Sequence, residues 1–384
     1  MKKLITIILA LLGALTPISA QEIPSYFLKD GYLQERLKSL PKGKHFMYIT
    51  DYHTERSSHT STAVMSYVKK NLGIDRVVFG GDCFDWAPDS ETAAQKLGGY
   101  FDELYAAFGN GLIWVQGNHD CNSSAVTKYK IPEETALIPD TLVLSLTVGR
   151  FTDDRHFDEP LLERYRNLPG LSAVDRAEAL AWIRLHYWVD DPALKIWFIT
   201  IDTYDGGHTC RHTIRARQVI AEQMPFLERA LESTPRGYTA VVLSHQFGHA
   251  KHGIVRTDLA APLIRTVARY RAAGRKVFLI GGHQHVDDAF LMRCSDDRFE
   301  MQEYAKGGKI GNDALLVVWC NRDAWKAGSK RYAAGGPGIK LEQSTNPPMK
   351  RGTPTEVSFD IVTLTRKGIV FTRIGGGSDR TFNW

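Results

Sequence analysis

The 384-residue chain is poor in cysteine, has no strong excess of either charge and lacks a long hydrophobic run beyond its N-terminus. Each shortage excludes something. Five cysteines, at 83, 121, 210, 294 and 320, are too few and too scattered for a disulfide scaffold, and no cluster of them offers a structural zinc site. In an oxidising compartment they allow at most two bridges and leave one thiol over. A formal charge of +5 falls to +3 once Lys2 and Lys3 are removed with a leader, too small an excess to imply a nucleic-acid partner. No internal repeat is evident. With 43% hydrophobic and 24% charged residues, the chain has the composition of a globular protein with one large core or two modest ones.

The apolar stretch Leu4 to Leu15 is shorter than the roughly 20 residues of a spanning helix. It follows a basic start and precedes Ala20, a small residue at the expected cut, so residues 1–20 read as a secretory signal peptide. No cysteine near residue 20 offers a lipid attachment point. The expectation is a periplasmic or secreted protein with no membrane association after cleavage.

Strands and helices alternate along the remainder. His45 to Thr50 reads as a buried strand, Ser61 to Leu72 as an amphipathic helix, Arg76 to Phe79 as a strand, Glu91 to Phe108 as a helix and Leu112 to Val115 as a strand. That is the pattern of a parallel sheet with crossover helices. The middle, about 121–236, is less regular, with an apolar segment Thr141 to Thr147, a helix Ala173 to His186, a strand Ile196 to Ile201 and a helix Ile214 to Leu231. A second αβ block follows: strand Thr239 to Leu243, helix Leu259 to Ala273, strand Lys276 to Ile280. Strand-like segments close the chain at Ala314 to Trp319, Val357 to Leu364 and Ile369 to Ile374. Residues 326–355, rich in Gly, Pro and Lys, form either a mobile insertion or a substrate-covering loop.

What the strands run into carries the chemistry. Gly117-Asn118-His119-Asp120 alone is what any tight turn after a strand uses. Yet the first strand runs into Asp51-Tyr52-His53, the second into Gly81-Asp82-Cys83-Phe84-Asp85, and two later ones into His245 and Gly282-His283-Gln284-His285. In an open α/β sheet such strand ends face one crevice. Carboxylates and imidazoles gathered there repel or stay unsatisfied unless a cation joins them, at a cost of several kcal/mol per buried group. An all-oxygen and nitrogen set suits Mn, Fe, Zn or Ni better than Ca. A carboxylate such as Asp82 can bridge two ions roughly 3.5–4 Å apart, the arrangement for displacement at phosphorus.

In this order, each after a strand, D-x-H, G-D-x-x-D, G-N-H-D, H and G-H-x-H resemble the calcineurin-like metallophosphoesterase superfamily. The five blocks span the core, about residues 43–290. The resemblance implies a four-layer αββα sandwich of two mixed β-sheets flanked by helices. Residues 21–42 would be a lead-in, and one domain would run over 43–384 with C-terminal strands in 312–384. It also implies two divalent ions, one on Asp51, His53, Asp82 and His285, the other on Asp82, Asn118, His245 and His283. The implied reaction is hydrolysis of a small-molecule phosphate ester by a bridging hydroxide. His119 would protonate the leaving oxygen or hold a phosphoryl oxygen, with Asp120 orienting its ring.

Within the superfamily, purple acid phosphatases carry a tyrosine ligand where this chain has Asp85, and too little chain follows residue 290 for the second domain of periplasmic 5′-nucleotidases. The ending, Phe371 to Arg380, resembles the closing strands of some secreted bacterial members. The rival class is a secreted phosphate-ester- or metal-binding protein without turnover, which has no need of a proton donor such as His119. Other residues stay open between two roles. Cys83 and Cys121 are either bridged or two buried thiols. Trp86 stacks on substrate or packs. His249 and His252 reach the site or face solvent. Arg211, His212, Arg215 and Arg217 meet a second phosphate or form a solvated helix face.

Overall fold

Trp197 and Phe198 are neighbours in one strand, Ile196–Thr200, and belong to different layers of the core. Because successive side chains of a strand point to opposite faces, Phe198 packs between the two sheets, where its ring meets Phe46 edge-on at 5.2 Å. Trp197 and Ile199 instead face outward onto Phe226, Leu227 and Leu263 of two covering helices. Residues buried on both faces of a strand account for the unbroken apolar runs of the sequence.

The computed structural model describes residues 22–384 except 128, 153–154, 202–215, 246–248, 252–253, 257–260, 284, 286, 294–300, 304–306, 312–313 and 321–348. The leader 1–20, most of the loop 326–355, and Arg211, His212, Arg215 and His252 therefore lie outside the described residues. In chain order the first strands are β1 (Lys44–Ile49), β2 (Val77–Phe79), β3 (Leu112–Trp114), β4 (Arg155–His156), β5 (Trp188–Asp191), β6 (Ile196–Thr200), β7 (Thr239–Leu243), β8 (His249–Lys251) and β9 (Ile254–Arg256). They are followed by β10 (Lys276–Gly281), β11 (Asp288–Arg293), β12 (Met301–Glu303), β13 (Gly307–Lys309), β14 (Ala314–Trp319), β15 (Ser358–Leu364), β16 (Gly368–Gly375) and β17 (Arg380–Asn383).

One sheet has the order β13-β17-β16-β15-β1-β2-β3 and the other β12-β11-β14-β10-β7-β6-β5-β4, with β8 and β9 forming a separate ribbon. Both are mixed: β1, β2 and β3 are parallel, as are β6, β7, β10 and β14, while the flanking strands pair antiparallel except for β13, which runs parallel to β17. The helices Ser61–Leu72 and Ser90–Phe108 cover the first sheet through Val64, Phe101 and Leu104, and Ala216–Ser233 and Ala261–Ala272 cover the second. This is a four-layer αββα sandwich.

The apolar segment at 141–147 is helical, Asp140–Leu146, and belongs with two further helices, Glu159–Asn167 and Ala173–Ile183, to the connection between the two parallel blocks. Leu162, Tyr165, Trp182 and Ile183 give the last two helices a small core of their own. Residues 25–38 form short helices that bury Phe27, Leu33 and Leu37 on the main core.

Register places the site. Ile49 pairs with Phe79 and Phe79 with Trp114, so β1, β2 and β3 end level with one another. Thr200, Leu243 and Ile280 are aligned in the same way across the second sheet. The loops beyond these residues consequently emerge at one end of the sandwich, as expected for parallel strands.

Candidate metal centre

Two groups of side chains that share Asp82 meet there, beside a third made by His53, Asp85 and His119. Asp51, His53, Asp82 and His285 form one, and Asp82, His245 and His283 the other; within each, one ligand atom per residue lies within 4.8 Å of the rest. Asn118 joins the second through its Oδ1, 2.7 Å from His283 Nδ1. Asp82 belongs to both groups. His119 stands at the rim, its Nε2 3.8 Å from Asp82 Oδ2, with 22% of its side chain exposed against 1% for Asp82 and 4% for His245.

The backbone is bent to bring these groups inward. Asp51, His53, Asp82, His283 and His285 all have left-handed φ, between 46° and 67°, half of the ten non-glycine residues with positive φ among those described. Each such residue costs about 1–3 kcal/mol unless its surroundings enforce it, and such strain gathers at functional sites. Close approach adds a second demand. A Cβ on Gly117 would lie 2.2 Å from Asp82 Oδ1, and one on Gly282 would lie 2.3 Å from Asp51 Oδ2. The glycines of G-N-H-D and G-H-x-H are therefore spacers that let carboxylates through.

Hydrogen bonds decide which nitrogen each imidazole presents. His245 Nδ1 lies 2.7 Å from the Gly80 carbonyl, which only accepts, so this nitrogen carries the proton. The other, Nε2, then turns a lone pair toward Asp82 Oδ2 at 3.1 Å. Two acceptors face each other. They need either a second proton on the ring or a metal ion between them, and this is the test that the donor set passes as a metal site. His53 Nδ1 lies 2.9 Å from Asp85 Oδ1, and its Nε2 lies 3.2 Å from His285 Nε2, a pair that one ring proton would join. His285 Nε2 in turn lies 3.0 Å from Asp51 Oδ1.

Charges follow from this packing. Burial by itself raises the carboxyl of Asp51, but the imidazoles of His285 and His245 hold it well below the usual range. Asp82 is likewise lowered against the cost of its burial, by His245 and His119. Burial disfavours the charged ring of His245, yet Asp82 and Asp51 outweigh it and push its pKa up to about 10. His53 is raised against its burial by the bond to Asp85 and by Asp82 and Asp51.

One expected role is corrected. Asp120 does not orient the His119 ring: His119 Nδ1 faces the main-chain carbonyl of Asp85 instead. The buried Asp120 carboxylate accepts from the amides of Gly117 and Cys83, each at 2.7 Å, and of Asp82 at 3.1 Å. It ties the second strand-end loop to the third, because a carboxylate accepting several amide donors is a strong loop clasp. Burial and the neighbouring Asp82 nonetheless raise its pKa. A bridge between Cys83 and Cys121 is also excluded, since Cys83 is a free buried thiol whereas Cys121 is disulfide-bonded. Trp86 stacks on Tyr129, ring centroids 4.1 Å apart, and so packs within the protein. His249 lies on β8.

Several residues were not singled out from the sequence. Asp85, the last residue of the G-D-x-x-D block, holds the His53 tautomer with one oxygen and Arg56 Nε at 2.6 Å with the other. Nothing local to Arg56 announces this. Farther out, Arg373 grips Asp360 with two donors, at 3.0 and 2.8 Å, and also pairs with Asp287. Arg380 meets the same Asp360 at 2.7 Å. Two arginines and two aspartates thus form a neutral buried network that ties the C-terminal strands to the segment carrying His285.

Comparison with a known family agrees with this architecture. The sequence model of the calcineurin-like phosphoesterase family matches residues 44–287, more than half of the chain. Among solved structures the chain is similar to a dimetal phosphatase from Danio rerio, at 12% identity over 89% of this chain and 99% of that one, with a TM-score of 0.48. It is similar to a purple acid phosphatase, PPD1, from yellow lupin (Lupinus luteus), at 11% identity over 90% and 54% of the two chains, with a TM-score of 0.44. It is also similar to GAP50, the anchor in the inner membrane complex of Plasmodium, at 13% identity over 89% of each chain, with a TM-score of 0.47. A search of curated proteins found no match.

Proposed function

Because the chain belongs to the calcineurin-like phosphoesterase family, we propose that it hydrolyses small-molecule phosphate esters with two divalent ions. Asp51, His53, Asp82 and His285 would hold one ion, and Asp82, Asn118, His245 and His283 the other. When bound, the ions would supply Lewis acidity toward phosphoryl oxygens and a lowered pKa for water. The observation that carries the reading is the sharing of Asp82 by two ligand groups, with the His245 lone pair turned toward an Asp82 carboxylate oxygen.

The chain's own residues then have distinct tasks. Gly80 and Asp85 hold the protons of His245 and His53 on Nδ1, so both rings offer Nε2 inward. Asp120 keeps the second and third loops in register by binding three amides. His119 is anchored through Nδ1 at the Asp85 carbonyl, leaving Nε2 free at the rim, 3.8 Å from Asp82 Oδ2. There its protonated form would give a proton to the departing ester oxygen.

The reading includes export from the cytoplasm, supported by the signal-peptide pattern of residues 1–20 and by the disulfide at Cys121, which suits an oxidising compartment. No stable nucleic-acid partner is part of the reading, since the net charge is small.

The test pairs a chromogenic phosphomonoester with a phosphodiester, after chelation and then with Mn, Zn, Fe, Ni, Mg or Ca restored. Metal-restored turnover supports the reading, and the faster substrate assigns the ester class. Metal uptake with no turnover of either ester or of natural phosphate esters would leave a binding protein. Failure to take up metal would remove the whole assignment.

A further inference from the structure

A wide cleft lies at the other end of the sandwich. Lys44 and Lys276 begin β1 and β10, the strands that deliver Asp51 and His283 at the far side. Six strand residues span roughly 20 Å, so nothing bound among these lysines touches the candidate metal ligands. The cleft has a volume of about 1200 Å³.

Its lining is one-sided in charge. Lys42, Lys44, Lys195, Arg275 and Lys276 converge from three chain segments, and Arg366 and Lys367 come from the turn between β15 and β16. No aspartate or glutamate lines it. Among the described residues none of these seven cations is paired with a carboxylate, and Asp191, at the end of the neighbouring β5, is already held by Arg76 at 2.9 Å. Several are fixed in place rather than free in solvent. Lys44 Nζ donates to the Ala193 carbonyl at 2.7 Å, Arg275 donates to the Thr234 carbonyl, and the Lys276 ammonium sits 5.0 Å from the Trp384 ring. Like charges held together in a concave surface repel, and a multivalent anion relieves all of them at once.

We propose that this cleft binds a compact anion carrying several phosphate or sulfate groups. Five of the seven cations are lysines, which act as point charges toward phosphate-like oxyanions, whereas bidentate carboxylate recognition favours arginine. Tyr238 is the lone aromatic residue in the lining, so there is no platform on which successive bases would stack. The surface is concave, whereas a helix lying in a membrane interface presents a convex apolar face. A small polyanion fits these features better than a nucleic acid or a lipid surface.

The experiment is calorimetric titration of the metal-loaded full-length mature protein with sucrose octasulfate, which is neither a phosphate ester nor a strong chelator, at physiological and raised salt. Binding at one site that weakens with salt is expected. Lys195→Glu with Lys367→Glu should weaken it at least tenfold while leaving metal content and ester hydrolysis unchanged. Lys42→Ala with Arg366→Ala is an independent pair expected to weaken it several-fold. Absence of binding, or affinity unchanged from the unsubstituted protein in both double variants, overturns the proposal. So does tighter binding of dextran sulfate chains, a single-stranded oligonucleotide or phosphatidylglycerol vesicles, which would assign the cleft to a polymer or a membrane.

Discussion

Arg373 on β16 reaches Asp287, two residues beyond His285, and both side chains are buried. A strand near the end of the chain thereby steadies the loop that would hold both ions. Removing one partner of a buried ion network costs about 3–5 kcal/mol, because the remaining charge is left uncompensated. Arg373→Met is expected to lower the midpoint of thermal unfolding and to reduce metal content measured after dialysis. Full metal content with an unchanged midpoint would mean that the His285 segment is held by other contacts.

His119→Asn should separate chemistry from metal binding. The ring stands at the rim, and no ion in the proposed assignment depends on it. A general acid of this kind typically contributes 10²–10⁴-fold. Turnover is expected to fall in that range with metal stoichiometry intact, most steeply for esters with poor leaving groups. An equal fall for good and poor leaving groups would move His119 to a role in binding the phosphoryl oxygens.

Asp85 tests the orientation of His53. With Asp85→Ala the proton on Nδ1 loses its acceptor and Arg56 loses its partner. Groups that orient a metal-binding histidine typically contribute 10–100-fold in affinity. Metal titration followed by calorimetry should show a loss of that size, confined to one of the two ions.

His245 links metal uptake to pH. In the metal-free protein its pKa is pushed up to about 10, since Asp82 and Asp51 outweigh its burial. The raised value means that this proton stabilises the metal-free fold fully below the ordinary histidine range, near pH 6.5, and that the contribution is lost as pH rises through about 10. An ion taking that nitrogen must expel the proton. Metal binding at pH 8 is therefore expected to release protons, measured by repeating calorimetry in buffers of different ionisation enthalpy, and to tighten as pH rises. Uptake that is independent of pH between 7 and 9 would count against His245 as a ligand.

His186 predicts the opposite slope at low pH. Its ring is buried between Trp182 and Phe226, and burial lowers its pKa to about 3. The unfolded chain then binds a proton that the folded one does not, so stability is lost as pH falls from about 6.5 toward 3, by up to about 1.4 kcal/mol per pH unit. His186→Leu should raise the unfolding midpoint relative to the unsubstituted protein more at pH 5 than at pH 8.

Strand positions and the polar clusters behind them are legible in the chain itself, because both are local. Ile49, Phe79 and Ile280 sit in unbroken apolar runs, and each run ends within a few residues of an aspartate or a histidine pair. Parallel strands carry such ends to one side, so convergence of Asp51, His53, Asp82, Asn118, His245, His283 and His285 follows from pattern and connectivity together. What no local pattern contains is the partner of each group. The nitrogen that His245 offers depends on a carbonyl 165 positions away, at Gly80. The role of Asp120 is set by amides of a different loop, and Arg373 and Arg380 acquire a purpose only beside Asp287 and Asp360. The basic cleft is of the same kind, since Lys42, Lys195, Arg275 and Lys367 are unremarkable singly and become a site only where four strand ends and a turn meet. Hydrogen bonds and charge pairs act over a few ångströms, whatever the separation along the chain, and tertiary packing alone decides which groups come within that range.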